Sequence, residues 1–135
     1  MDTNPANPRV LVLGLDPYRV PGDWDPEPVA RRIDAGLSRF AAHGVGMQAC
    51  LIGLDGSDDI TAMITEALRS RPWECVVVGS GLRVGDGDAQ VELFEEVINL
   101  IRRYADQAAI AFNSRPDDTY DAAARWLTSA ARDPR

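Results

Sequence analysis

Hydrophobic positions along this chain fall into two kinds of run. Nearly unbroken apolar stretches occupy residues 9–15 (RVLVLGL), 46–54 (GMQACLIGL), 74–78 (ECVVV) and 108–112 (AAIAF). They are short, and most are rich in branched aliphatic residues, the pattern of strands covered on both faces. Elsewhere the apolar positions recur at three- and four-residue steps, which predicts amphipathic helices. Val29, Ile33, Leu37 and Phe40 mark a helix over 26–43, and Ile60, Met63, Ile64, Ala67 and Leu68 mark one over about 57–69. Leu93, Phe94, Val97, Ile98 and Ile101 give a third over 89–105; Tyr120, Ala124 and Leu127 give a fourth over about 118–131.

Local signals set the element boundaries. Asp25 is positioned to cap the first helix, with Pro26 at a first-turn site where its missing N–H costs nothing, and Gly44 ends it. Ser57 or Asp58 is expected to cap the second helix. Residues 1–8 read as a flexible lead, 9–131 as one α/β domain, and 132–135 as a frayed tail.

Strand and helix alternate throughout, so the expected architecture is a three-layer α/β sandwich with a four-stranded parallel sheet, flavodoxin-like or Rossmann-like. The first and third strands are the most densely aliphatic and belong at the centre, giving the order 2-1-3-4. Connections then reverse direction between strands one and three, and ligands in such sheets bind beyond the strands' carboxyl ends at that switch. The loops flanking it are 16–25 and 79–88. The first contains PYRVPGDWD, about ten residues where two to six are usual.

Charge narrows the partners. The 21 acidic and 14 basic residues leave a net charge of −7, which argues against a nucleic-acid footprint and against anionic membrane surfaces. No apolar run approaches the ~20 residues of a membrane span. Two cysteines, no secretion-signal pattern and ordinary composition lead to the expectation of a cytoplasmic protein. Every base is arginine, and the absence of lysine removes Walker-type phosphate loops and Schiff-base chemistry. The sequence names no cofactor and leaves open whether the protein is an enzyme.

Candidate chemistry gathers at the switch-side loops. Asp16 is the candidate acid/base, and Asp16 with Asp55 the candidate metal pair, since both end neighbouring strands in the expected order. Arg19, Arg83 and Arg115 follow strands one, three and four at one edge of the sheet, where guanidinium forks suit phosphate or carboxylate. Tyr18, Ser80, Gly81, Asn113 and Ser114 complete the candidate ligand-binding set. Tyr18 and Trp24 either stack on a ligand or fold back to anchor their loop. Gly79, Gly81 and Gly85 follow a strand and precede a helix, but their GxGxxxG spacing departs from the dinucleotide fingerprint. His43, the only histidine, falls at the far end of the first helix from Ser80 and Ser114, which blocks a serine–histidine triad. Cys50 and Cys75 read as core residues on non-adjacent strands.

Two segments carry a family resemblance. ECVVVGSGLR (74–83) resembles the strand and glycine-rich turn of universal stress proteins, and VLVLGLDP (10–17) resembles their opening strand with its acidic residue. The match is confined to these segments; the family's later glycine and serine have no counterpart in residues 90–100. The resemblance implies a small α/β domain that binds ATP through the glycine-rich segment. The chain as a whole also resembles small α/β proteins of high-GC bacteria, a similarity that implies no function.

The sequence therefore predicts binding of a small anionic ligand, phosphate- or carboxylate-bearing, at the C-terminal edge of a parallel sheet. The alternative is a non-catalytic regulatory or interaction module, acting as a homodimer.

Overall fold

A computed structural model of the chain describes residues 8–83, 85 and 87–127. The expected lead, save Pro8, the expected tail and the last positions of the fourth helix, 128–131, lie outside the described residues. The strands β1 (Val10–Leu15), β2 (Met47–Ile52), β3 (Cys75–Val78) and β4 (Ala109–Phe112) form one parallel sheet in the order β2-β1-β3-β4. Helices α1 (Glu27–Ala42), α2 (Ile60–Arg69), α3 (Asp88–Tyr104) and α4 (Thr119–Ala124) connect and follow them. The expected fold class and strand order are those observed.

Alternation along each strand divides the core in two. Leu11, Leu13, Val76 and Val78 point to one face and pack with Ile64 and Leu68 of α2 and Val97 and Ile101 of α3. Val10, Val12, Cys75, Val77 and Ala111 point to the other, against Phe40 of α1 and Tyr120 and Ala123 of α4. Each such valine, leucine, isoleucine or phenylalanine side chain, fully buried, contributes about 1.5–3 kcal/mol, so the two layers supply the main driving force of folding. Phe40 meets Tyr120 edge-on, ring centres 5.3 Å apart. At the amino end of the sheet, Arg9 donates to both oxygens of Glu74, at 2.7 and 3.0 Å, fastening the start of β1 to that of β3.

Helix ends follow side-chain chemistry. α1 begins one residue later than expected, yet Asp25 does serve it: its Oδ1 accepts the Glu27 N–H at 3.1 Å. At the far end His43 Nδ1–H donates to the Arg39 carbonyl at 2.8 Å and the ring stacks on Tyr120. α2 is capped by Asp59, which accepts the Ala62 N–H at 3.1 Å, rather than by Ser57 or Asp58. Those two are turned towards Arg19, as described below. α4 runs only to Ala124 before a turn, and Trp126 stands 49% exposed, off the inward stripe.

Cys50 and Cys75 are free thiols on opposite faces of the sheet, with β1 between their strands. Burial pushes the Cys75 thiol up to about 12. Among the described residues no helix is long and apolar enough to cross a membrane.

Candidate functional site

The alternating set on the α1 side of β1 reads Val10, Val12, Gly14, and that of β3 reads Cys75, Val77, Gly79. Both central strands thus lose their side chain at the carboxyl end, on the same face. Gly14 is registered with Leu51 of β2. One step beyond the pairs Leu13–Val78 and Val78–Phe112, Gly14 stands beside Gly79 and Gly79 beside Asn113. Leu51, Gly14, Gly79 and Asn113 therefore form one row across the sheet, bare in the middle.

Above this row runs the stripe of α1. Phe40 is buried against the valines, but Val29, Ile33 and Leu37 are only half-buried, because the glycines offer them nothing to pack on. The space between is a cavity of about 210 Å³. The loop after β1 contributes Pro17, Val20 and Trp24 to its lining, and the turn after β4 contributes Pro116 and Thr119. Among the described residues no charged side chain lines it; its polar side chains are Ser80, Asn113 and Thr119, with the Trp24 indole. A dry apolar cavity of about 150 Å³ admits benzene, so this one suits a ligand of about one ring.

The sequence-predicted residues divide sharply. Ser80, Gly81 and Asn113 line the cavity; Asp16, Tyr18, Arg19, Arg83, Ser114 and Arg115 are not part of its lining. Asp16 uses both carboxylate oxygens locally, accepting the Tyr18 N–H and Arg19 Nε–H, each at 3.0 Å. Tyr18 points outward and donates to Glu27 at 2.8 Å. Of the two aromatics on that loop, only Trp24 reaches the cavity, steadied by an indole N–H donated to the Val20 carbonyl at 3.1 Å.

Arg19 is a staple between two loops. Its Nη1 donates to Asp58 at 2.7 Å and to Ser57 at 3.3 Å, its Nη2 to the Leu51 carbonyl at 3.3 Å, and its own carbonyl accepts the Leu54 N–H at 2.9 Å. The side chain lies across Gly53, where a Cβ would stand 2.8 Å from Arg19 Cβ. The Gly53 N–H, first, and Arg19 hold the Asp58 carboxyl below the usual carboxylate range. Asp55 is also lowered, by the Ser57 hydroxyl and backbone N–H. Among the described residues no cluster of three or more His, Cys, Asp or Glu is placed to hold a metal ion.

The other two arginines are similarly engaged. Arg83 donates to the Asn113 carbonyl and lies over the Phe112 ring, 5.4 Å from its centre. Arg115 pairs with Asp117 at 3.1 Å and Asp118 at 3.6 Å. Asp118 also accepts the N–H groups of Ser114 and Arg115, at 3.0 and 3.2 Å, so it organises the turn after β4. The glycine-rich loop begins with a 3-10 turn, Ser80–Leu82, anchored by the buried Leu82 and by Gln90, whose amide donates to the Leu82 carbonyl at 2.7 Å.

The chain matches no protein-family model and no curated protein sequence. The sequence pointed to this edge of the sheet, where the cavity lies, but not to the wall of α1, whose stripe it assigned wholly to the core. The signal was present in the two valine-to-glycine steps at the ends of β1 and β3.

Proposed function

We propose that this protein is a small-molecule-binding domain whose ligand occupies the cavity between α1 and the carboxyl ends of β1 and β3. The observation that carries the reading is the row Leu51–Gly14–Gly79–Asn113, which leaves an apolar cavity at the topological switch, where α/β sheets bind ligands. The sequence pointed to a phosphate- or carboxylate-bearing ligand. The uncharged lining and the prior engagement of Arg19, Arg83 and Arg115 favour a mainly apolar one. Binding is favoured over catalysis because neither a histidine nor a carboxylate stands among the described lining residues to activate Ser80.

The alternative of a homodimeric interaction module has support in the exposed Trp126 and Phe112. Phe112 lies on β4, the outer strand of the described sheet, however, where Arg125 donates to its carbonyl at 3.3 Å and Arg83 covers its ring. Charged side chains on an edge discourage strand pairing between copies.

Thermal-shift screening against small aromatic and aliphatic alcohols and amides, nucleotides including ATP, sugar phosphates and carboxylates tests the reading. Small apolar compounds should raise the melting temperature of the natural protein and leave Gly14→Val, which fills the floor, unmoved. Responses confined to anions and undiminished in Gly14→Val would refute it.

A further inference from the structure

Helix α3 has two differently used flanks. Phe94 and Glu96 stand about 160° apart around it, at about 100° per residue. Glu96 accepts a hydrogen bond from Thr61 of α2, whereas Phe94 meets Phe112 of β4, ring centres 6.1 Å apart. The Phe94 flank is where the described sheet ends, since β4 is its outer strand, and α4 packs on the opposite face. Val91 and Ile98 share that flank, within about 60° of Phe94. Val91 is 54% and Phe112 40% exposed, while Phe94 and Ile98 are half-buried. The four side chains make one apolar strip that the described residues leave partly open. Contiguous exposed apolar side chains rimmed by polar ones mark interaction sites.

Charge shows what fits this strip. Glu95 and Arg102 border it, seven residues apart on one line of the helix. Both are exposed, and neither enters an ion pair among the described residues. They do not reach each other, because only residues three or four apart are neighbours on a helix. An acid towards one end of a stripe and a base towards the other complement the same stripe turned end for end. A twofold axis performs that reversal and sets residue i against j and j against i. We propose that a second copy of this chain docks on the strip, α3 antiparallel to α3 about a twofold axis near Ile98, with Glu95 of each copy paired to Arg102 of the other. Ile98 then meets its own counterpart at the centre, and Val91 and Phe94 are covered on either side. The contact is helix on helix and makes no use of the β4 edge that Arg83 and Arg125 protect. It lies on the sheet face away from the cavity, so it goes beyond the binding reading and does not depend on it.

Analytical ultracentrifugation of the natural full chain at low salt tests the proposal. One helix face per copy is less than a standard interface, so the dimer should dissociate with a constant on the order of tens of micromolar. Glu95→Arg and Arg102→Glu each set like charges against one another twice and should weaken it at least about tenfold. Both positions are exposed, so the fold is retained in each variant. Mixing the two variants should restore dimers, because positions 95 and 102 then face opposite charge at both contacts. A natural protein still monomeric at about ten times the expected constant overturns the proposal and leaves the strip to a different partner. A dimer that neither reversal weakens forms through another surface and overturns it too. Variants that are both weakened but associate no better when mixed exclude the antiparallel pairing.

Discussion

Gly36 of α1 lies directly against the Pro116 carbonyl: a Cβ at position 36 would stand 2.2 Å from that oxygen and 3.1 Å from the Asp117 Cα. The contact seats the turn after β4 on the helix and so sets the distance between α1 and the sheet. Pro116 and Thr119, on that turn, are part of the cavity lining.

Gly36→Ala is therefore expected to destabilise the protein although alanine is the better helix former by about 1 kcal/mol. The opposing atom is backbone and cannot rotate away, so overpacking of about 1–3 kcal/mol prevails. A urea titration should show a lower midpoint at unchanged slope. A midpoint equal to or above that of the natural protein would mean the turn yields freely.

Two residues of the same helical stripe should respond differently to truncation. Phe40 is 1% exposed and packed on Tyr120, so Phe40→Ala should cost about 3–5 kcal/mol. Ile33 faces the cavity and already lacks partners on one side, so Ile33→Ala should cost less than about 2 kcal/mol. Equal losses in denaturant titrations would contradict a cavity at that place.

Acid sensitivity should trace partly to Asp58. Its folded value is lowered, by the Gly53 N–H and then by Arg19. The stabilisation is accordingly complete above the ordinary unfolded value of about 4 and is lost as pH falls through the lower folded value. Unfolding midpoints measured from acid to neutral pH should drop below about pH 4. Asp58→Asn should be less stable at neutral pH and show a shallower acid decline; an acid limb parallel to that of the natural protein would exclude Asp58 as a contributor.

Thiol labelling should distinguish the cysteines. Cys75 is fully buried with its thiol pushed up to about 12, whereas Cys50 is half-buried, its thiol also raised by burial. Native protein at mildly alkaline pH should label slowly at Cys50 alone, with Cys75 reacting only in denaturant. Rapid native labelling of Cys75, located by peptide mapping, would contradict its place in the core.

The sequence by itself determined the elements and their parallel order, and it pointed to the sheet edge where the cavity lies. These follow from local periodicity: the density of ECVVV and RVLVLGL requires burial on both faces, and Val29, Ile33, Leu37 and Phe40 can share one side only of a helix. What only the tertiary structure decided is which side chains meet at that edge. Arg19 looked like an anion receptor because nothing local shows that Asp58, 39 positions away, would hold it. That Gly14 and Gly79 stand side by side was not legible, because their common row depends on strand register, a non-local quantity. Asn113 was marked as a polar candidate, but the direction of its amide is set through Thr119 by the Pro116 carbonyl. Periodicity is written in near neighbours along the chain; hydrogen-bond partners and empty space are properties of segments that only folding brings together.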